Sequence, residues 1–282
     1  MIKLNKPQMD QSKIVNDCID NMKKGERKSK LSKSKDEIVR LSKQYDLLAE
    51  NGRILEIPKK DKSEGGASKE DLLFLYDNRF SQKSQLPRKY YDGIILLAPN
   101  GKCPQCGQRQ VRTLDHYLPK SEYPLLAITP YNLIPCCSDC NKDKSDKIFT
   151  SREMETIHPY YDNFDDEIWL KATLIEQEPI AFNFFTCHPS NWSELKYKRA
   201  KNHFEVFDLN NLYKPCAAEM IITEIGWINR LLKKCGEEIA KQEIIDRISD
   251  EHKRYKNTWK SAVYEAIYIS EWFWKKYLPS HE

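Results

Sequence analysis

The sequence predicts an α+β chain, mainly helical, from three observations. Apolar residues recur at three- and four-residue steps over the N-terminal and C-terminal stretches, the period of a helix packed along one face. Two segments between residues 168 and 185 alternate apolar and polar residues instead, the period of a strand. Ahead of them, two Cys-x-x-Cys pairs enclose a short segment dense in Asp, His, Asn and Lys.

Residues 1–60 form an N-terminal helical, basic region. Ile38, Leu41, Tyr45 and Leu48 mark the apolar side of helix within 12–56. From 23 to 43, nine Lys and Arg stand against three acids, Glu26, Asp36 and Glu37. Such a run serves either as a solvated, partly helical face or as a surface that neutralises backbone phosphates. Residues 61–101 are a linker and a helix leading into the core. The polar stretch 59–69 contains Gly65-Gly66 and reads as a loop, followed by helix from 70 to about 80 with Leu72, Leu73, Leu75 and Tyr76 on its apolar side. Residues 90–97 lead into Asn100-Gly101, a turn signal.

The core spans 102–155, and 156–190 form a β-hairpin extension, its strands at 168–175 and 180–185 joined around Glu178-Pro179. Residues 191–282 are a C-terminal helical region. Ile221, Ile225, Ile228, Leu232 and Cys235 step along one face there, and Trp259, Ala262, Val263, Ala266 and Ile267 along another. Trp272-Phe273-Trp274 reads as core packing.

Bulk properties exclude several classes. With 40% hydrophobic, 31% charged and 11% aromatic residues over 282 positions, wholesale disorder is excluded. No apolar run is long enough to cross a bilayer, and Met1-Ile2-Lys3-Leu4-Asn5-Lys6-Pro7 lacks the apolar stretch of a secretory signal. Of nine cysteines, Cys18, Cys136, Cys187, Cys216 and Cys235 follow no framework pattern, which a reducing cytoplasm tolerates. A cytoplasmic protein with no membrane partner is therefore expected. The net charge of +4 is too small to demand an anionic partner.

Cys103-Pro104-Gln105-Cys106 and Cys137-Ser138-Asp139-Cys140 form two metal knuckles separated by thirty residues. Together they supply a closed Cys₄ site for structural Zn²⁺, in which Gly107 suits the tight turn after the first pair. Cys136 could replace Cys137, but the two-residue spacing to Cys140 favours Cys137 and leaves Cys136 as core. Between the knuckles, residues 113–118 alternate as a short strand that Pro119 ends. Asn132-Leu133-Ile134-Pro135 begins a second strand, and a helix starts near Ser138 or Asp139, either of which could cap it.

On those residues the segment resembles the HNH, or ββα-metal, endonuclease core in its Cys₄-zinc form. The family carries an Asp/His-His at the end of its first strand, an Asn on the second, and a His or Asn at the start of the helix. Here these correspond to Asp115-His116, Asn132 and Asn141, an H-N-N version of the pattern. The resemblance implies a zinc-stapled ββα-metal core within a mainly helical chain, and a metal-dependent endonuclease that hydrolyses DNA. It also implies that Asn132 holds the loop bearing His116 through a backbone hydrogen bond.

Phosphodiester hydrolysis needs a base for water and a counter-charge for the leaving oxygen. His116, with an ordinary pKa near 6.5, fits the base, whereas His158, His188, His203, His252 and His281 read as structural. Asp115 and the side-chain carbonyl of Asn141 offer oxygen to a catalytic Mg²⁺ or Mn²⁺. Lys120 and Lys144 lie close enough in sequence to contact phosphate. The opening Lys3-Leu4-Asn5-Lys6 and the segment His158-Pro159-Tyr160-Tyr161-Asp162-Asn163-Phe164 are similar to Septu-type antiphage HNH proteins, which implies an ATPase partner encoded nearby. Two alternatives stay open: an RNA (tRNA)-cleaving HNH effector, and a non-catalytic zinc module binding nucleic acid or protein.

Overall fold

The computed structural model describes residues 1–280; His281 lies outside the described residues. The chain is α+β, mostly helical with two small antiparallel sheets, and it forms two compact units. One comprises Ile2–Arg152 together with His158–Asp162, and the other comprises Met1, Glu153–Ile157 and the chain from Asn163 onward. Among the described residues, no helix is long and apolar enough to cross a membrane.

The first unit opens with three helices, α1 Gln11–Ile19, α2 Glu26–Lys33 and α3 Lys35–Glu50, where the sequence predicts one helical stretch. Asp10 caps α1 by accepting from Ser12 N. The break between α2 and α3 falls at Ser34, whose hydroxyl bonds the Lys30 carbonyl and Ser63 Oγ. A side chain that satisfies backbone groups locally competes with helix continuation. Ile38, Leu41 and Tyr45 are buried as expected, beside Ile14, Val15 and Ile19 of α1. Of the nine cations from 23 to 43, Arg27, Lys30, Lys35 and Arg40 pair with acids of the protein itself, and Lys28 bonds the Asp20 and Met22 carbonyls. Much of the basic run thus spends its charge internally.

The polar loop that follows is fastened down, with Glu64 N bonded to Glu37 and Ala67 N to Ser63. Ser68 and Asp71 form a reciprocal capping box that starts α4 Lys69–Phe74. This helix runs on as a π-helical turn, Leu75–Phe80, closed by Ser81 N to the Tyr76 carbonyl. Next comes α5 Arg88–Ile95, and then the turn at Asn100 and Gly101, both at positive φ. Strands β1 Thr113–His116 and β2 Leu133–Cys136 pair antiparallel, with His116 opposite Leu133 and Thr113 opposite Cys136. Helix α6, Ser138–Lys144, follows at once. Tyr160 and His158 return to this unit, Tyr160 donating to the Leu133 carbonyl and His158 bonding Tyr45.

In the second unit, β3 Leu170–Ile175 and β4 Ala181–Thr186 form the expected hairpin. Helices α7 Glu194–Val206, α8 Leu209–Cys235, α9 Glu237–Arg254 and α10 Trp259–Ile269 complete it. The face predicted for α10 is buried throughout, from Trp259 to Ile267, and of the expected core residues 272–274, Phe273 and Trp274 are buried while Trp272 is half-buried. The face predicted for α8 is buried only at Ile221 and Ile228, and Cys235 is exposed. Asn257 ties this unit together, donating to the Glu167 carbonyl and accepting from Trp169 N and Leu170 N.

Candidate active site beside a four-cysteine cluster

The four sulfurs of Cys103, Cys106, Cys137 and Cys140 lie within 4.8 Å of one another, all buried. Around one ion with metal–sulfur bonds of about 2.3 Å, tetrahedral thiolates fit such a spacing, and four of them could hold a metal such as zinc. The knuckles are built for it. Arg109 N points at Cys106 Sγ and Cys140 N at Cys137 Sγ, each at 3.4 Å. Gly107 adopts φ +67°, a left-handed turn that glycine makes without strain. Cys136 lies beside the group, its Sγ 3.9 Å from that of Cys103, but outside the ligand set.

The helix cap differs from expectation. Neither Ser138 nor Asp139 caps α6; Cys137 does, its sulfur accepting Cys140 N. A sulfur able to ligate a metal can also take an orphan helical N–H, so one residue fills both places.

From the knuckles, Arg112 N bonds the Cys136 carbonyl and sets β1 against β2. The strand ends at His116, and Tyr117 N continues the ladder to the Asn132 carbonyl. Asn132 then clasps the next residue from both sides: its Oδ1 accepts Leu118 N at 2.7 Å and its Nδ2 donates to the Leu118 carbonyl at 3.0 Å. Asn132 is fully buried. Its replacement by Ala should leave a buried N–H and a buried C=O unpaired, at about 1–3 kcal/mol each. Urea unfolding should show the midpoint falling with an unchanged m-value.

His116 is 8% exposed. Its Nε2 lies 2.9 Å from the Ala127 carbonyl, which can only accept, so Nε2 carries the proton and Nδ1 the lone pair. Burial pushes the imidazole pKa down to about 3, with the Ala127 carbonyl opposing the shift, so the ring is neutral at physiological pH. The Tyr76 ring meets it edge-on at 4.4 Å between centroids.

Asp115 is equally enclosed, and burial raises its carboxyl to about 6 against the pull of Lys144. Lys144 Nζ lies 3.2 Å from Asp115 Oδ1 and 3.1 Å from Oδ2, and donates to the His116 carbonyl at 2.7 Å. Only Oδ1 meets it in hydrogen-bond geometry; Oδ2 is buried without a hydrogen bond. Lys144 therefore departs from the expected phosphate contact. Its ammonium is shut away from solvent and serves as counter-ion to Asp115 and as a brace for the end of β1.

A cleft of about 350 Å³ opens at this point. Of the residues singled out in the sequence, Asp115, His116, Asn141 and Lys120 line it, whereas Asn132 and Lys144 support it from behind. Tyr76, Lys142 and Asp146 also face it. Sequence reasoning took Tyr76 only as helix core, since no spacing distinguishes a buried tyrosine that borders a site from one that does not. Lys120 is held by an ion pair to Asp77 and lies 4.8 Å from the Tyr76 ring centroid. Among the described residues the other histidines are engaged elsewhere: His203 accepts Ile157 N, His188 meets the Trp192 carbonyl, and His252 lies 3.7 Å from Glu265.

No protein-family profile matches the chain, and no solved structure matches it. Among curated proteins it is similar to Protein ea31 of Escherichia phage lambda, at 27% identity over 295 residues. The match covers 98% of this chain and 99% of that protein, so it runs through both units rather than through a shared knuckle.

Proposed function

We propose that this chain is an HNH-type endonuclease that hydrolyses phosphodiester bonds in DNA. The observation that carries this reading is the meeting of Asp115, His116 and Asn141 in one cleft, beside the cysteine knuckles. Neutral His116 takes the proton of the attacking water at Nδ1, and its bond to Ala127 keeps the ring aimed. Asn132 fixes the loop that follows. Asp115 and Asn141 would hold a hard divalent cation, Mg²⁺ or Mn²⁺. The donor chemistry fits, and Asp115 Oδ2, 3.1 Å from the Lys144 ammonium, is a buried acceptor without a hydrogen bond. Bound there, such a cation supplies charge neutralisation for the phosphate and the departing oxygen. Lys120 would contact phosphate at the rim of the cleft.

In this reading the cysteine cluster holds Zn²⁺. Four thiolates leave no coordination position for reactive water, so the zinc is structural. We read the protein further as a cytoplasmic effector of a bacterial antiphage system that acts with an ATPase partner. Its resemblance to Septu-type proteins supports this.

The test is conversion of supercoiled plasmid to open circles by the purified protein together with its ATPase partner. Nicking is expected with Mg²⁺ or Mn²⁺ and not without added divalent ion, while tRNA stays intact. Cleavage of tRNA alone would move the assignment to an RNA-directed effector. No cleavage of either substrate would overturn the enzyme reading.

A further inference from the structure

Tyr76 belongs to no part of the resemblance, yet it touches two groups on which the proposed chemistry relies. One side of the residue meets the His116 imidazole, at 4.4 Å between centroids and an interplanar angle of 68°. The Lys120 ammonium lies 4.8 Å from the centre of the same ring. The adjacent residue, Asp77, pairs with that ammonium. Tyr76 itself is backed by Phe80, stacked at 5.8 Å and 23°, and Phe80 by Tyr91 at 6.2 Å.

The backbone that presents Tyr76 is unusual. Leu75–Phe80 is a π-helical turn, in which one extra residue per turn shifts each following side chain around the axis. The turn places Tyr76 and Asp77 in succession, one on the imidazole and the other on the lysine. Aromatic edge contacts and cation–π contacts each contribute modestly to stability. Their weight here is geometric, because one rigid ring restrains two side chains that must address the same phosphate.

We propose that Tyr76 is a positioning residue that clamps His116 and Lys120 in register, so that the proton acceptor and the phosphate-facing cation are set by a single ring. This rests on the reading of the cleft as a phosphodiester-cleaving site. The ring is the working part, since Tyr76 makes both contacts through it. The clamp also separates the roles of the two groups it holds: His116 governs turnover, and Lys120 governs substrate capture.

The experiment compares steady-state plasmid nicking by Tyr76→Phe, Tyr76→Leu and Lys120→Met with the wild type, each checked for zinc content and melting temperature. Tyr76→Phe should stay within about twofold of wild type, because the ring remains. Tyr76→Leu should lower kcat by about 100-fold, the size of effect that a displaced base produces, and raise KM as well. Lys120→Met should raise KM, as loss of a phosphate-facing cation requires, whereas a Tyr76 that only packs the core would let Tyr76→Leu lower the melting temperature without moving kcat.

Through-space NMR contacts between the Tyr76 and His116 ring protons in the wild-type protein provide a readout independent of cleavage, and also of whether Tyr76→Leu folds. Full kcat in Tyr76→Leu overturns the clamp, as does equal loss in Tyr76→Phe and Tyr76→Leu, or absence of the ring contacts. Wild-type inactivity with the ring contacts present overturns the parent reading instead.

Discussion

Stripping metal from the four-cysteine cluster is expected to unfold the segment from Cys103 to Lys144 while leaving the second unit folded. Its regular elements are short: β1 and β2 have four residues each and α6 has seven. An isolated two-stranded hairpin is at best marginal in water, and so is a helix of two turns. Structural zinc in small modules contributes on the order of 10 kcal/mol, far more than such elements supply. Cys137→Ala should act most strongly, since it removes a ligand and the α6 cap together. Hydrogen exchange checks this, with amides of Tyr117 and Leu118 losing protection on chelation and those of β3 and β4 keeping it. Retained protection at Leu118 in metal-free protein would mean that the cysteines are not the staple.

Lys144→Met is expected to be the most damaging single substitution outside the cysteines. The methionine fills a similar volume, so the effect isolates charge. It leaves Asp115 buried without its cation and the His116 carbonyl without its donor. Breaking one side of a buried pair costs about 3–5 kcal/mol at a pH where the carboxylate stays ionised, and less where Asp115, already raised to about 6 by burial, takes up a proton. For a unit of this size the melting temperature should fall by on the order of 10 °C. The double variant Lys144→Met/Asp115→Asn should recover much of that loss, because the stranded charge is gone. Additive losses in the double variant would mean that Lys144 acts by packing alone.

Much of this was legible in the sequence, for physical reasons that can be named. The Cys-x-x-Cys spacing encodes knuckle geometry directly, and the alternation of 168–185 encodes the pleat of β3 and β4. Helix faces read well where they are wholly packed, as in α10, and poorly in α8, where only part of the stripe is covered. The position of Lys144 was not legible. At the end of a short charge-rich helix, a lysine reads as a solvated phosphate binder, and only the fold reveals that its stem threads inward to Asp115. Nor could the sequence mark Ser34 as a helix break, since that depends on a partner, Ser63, twenty-nine positions away. Tyr76 shares this limit, its role in the cleft arising from a π-helical shift that leaves no periodic trace.

The central claim, that the cleft at the end of β1 hydrolyses phosphodiesters through His116, is tested most directly by one paired assay. Wild type and His116→Ala, matched for bound metal and melting temperature, are incubated with supercoiled plasmid, Mg²⁺ or Mn²⁺ and the proposed ATPase partner. The account expects open circles from the wild type and a loss of at least 100-fold in the variant, at the lower end of what general-base catalysis contributes. Equal nicking by the two proteins would contradict it.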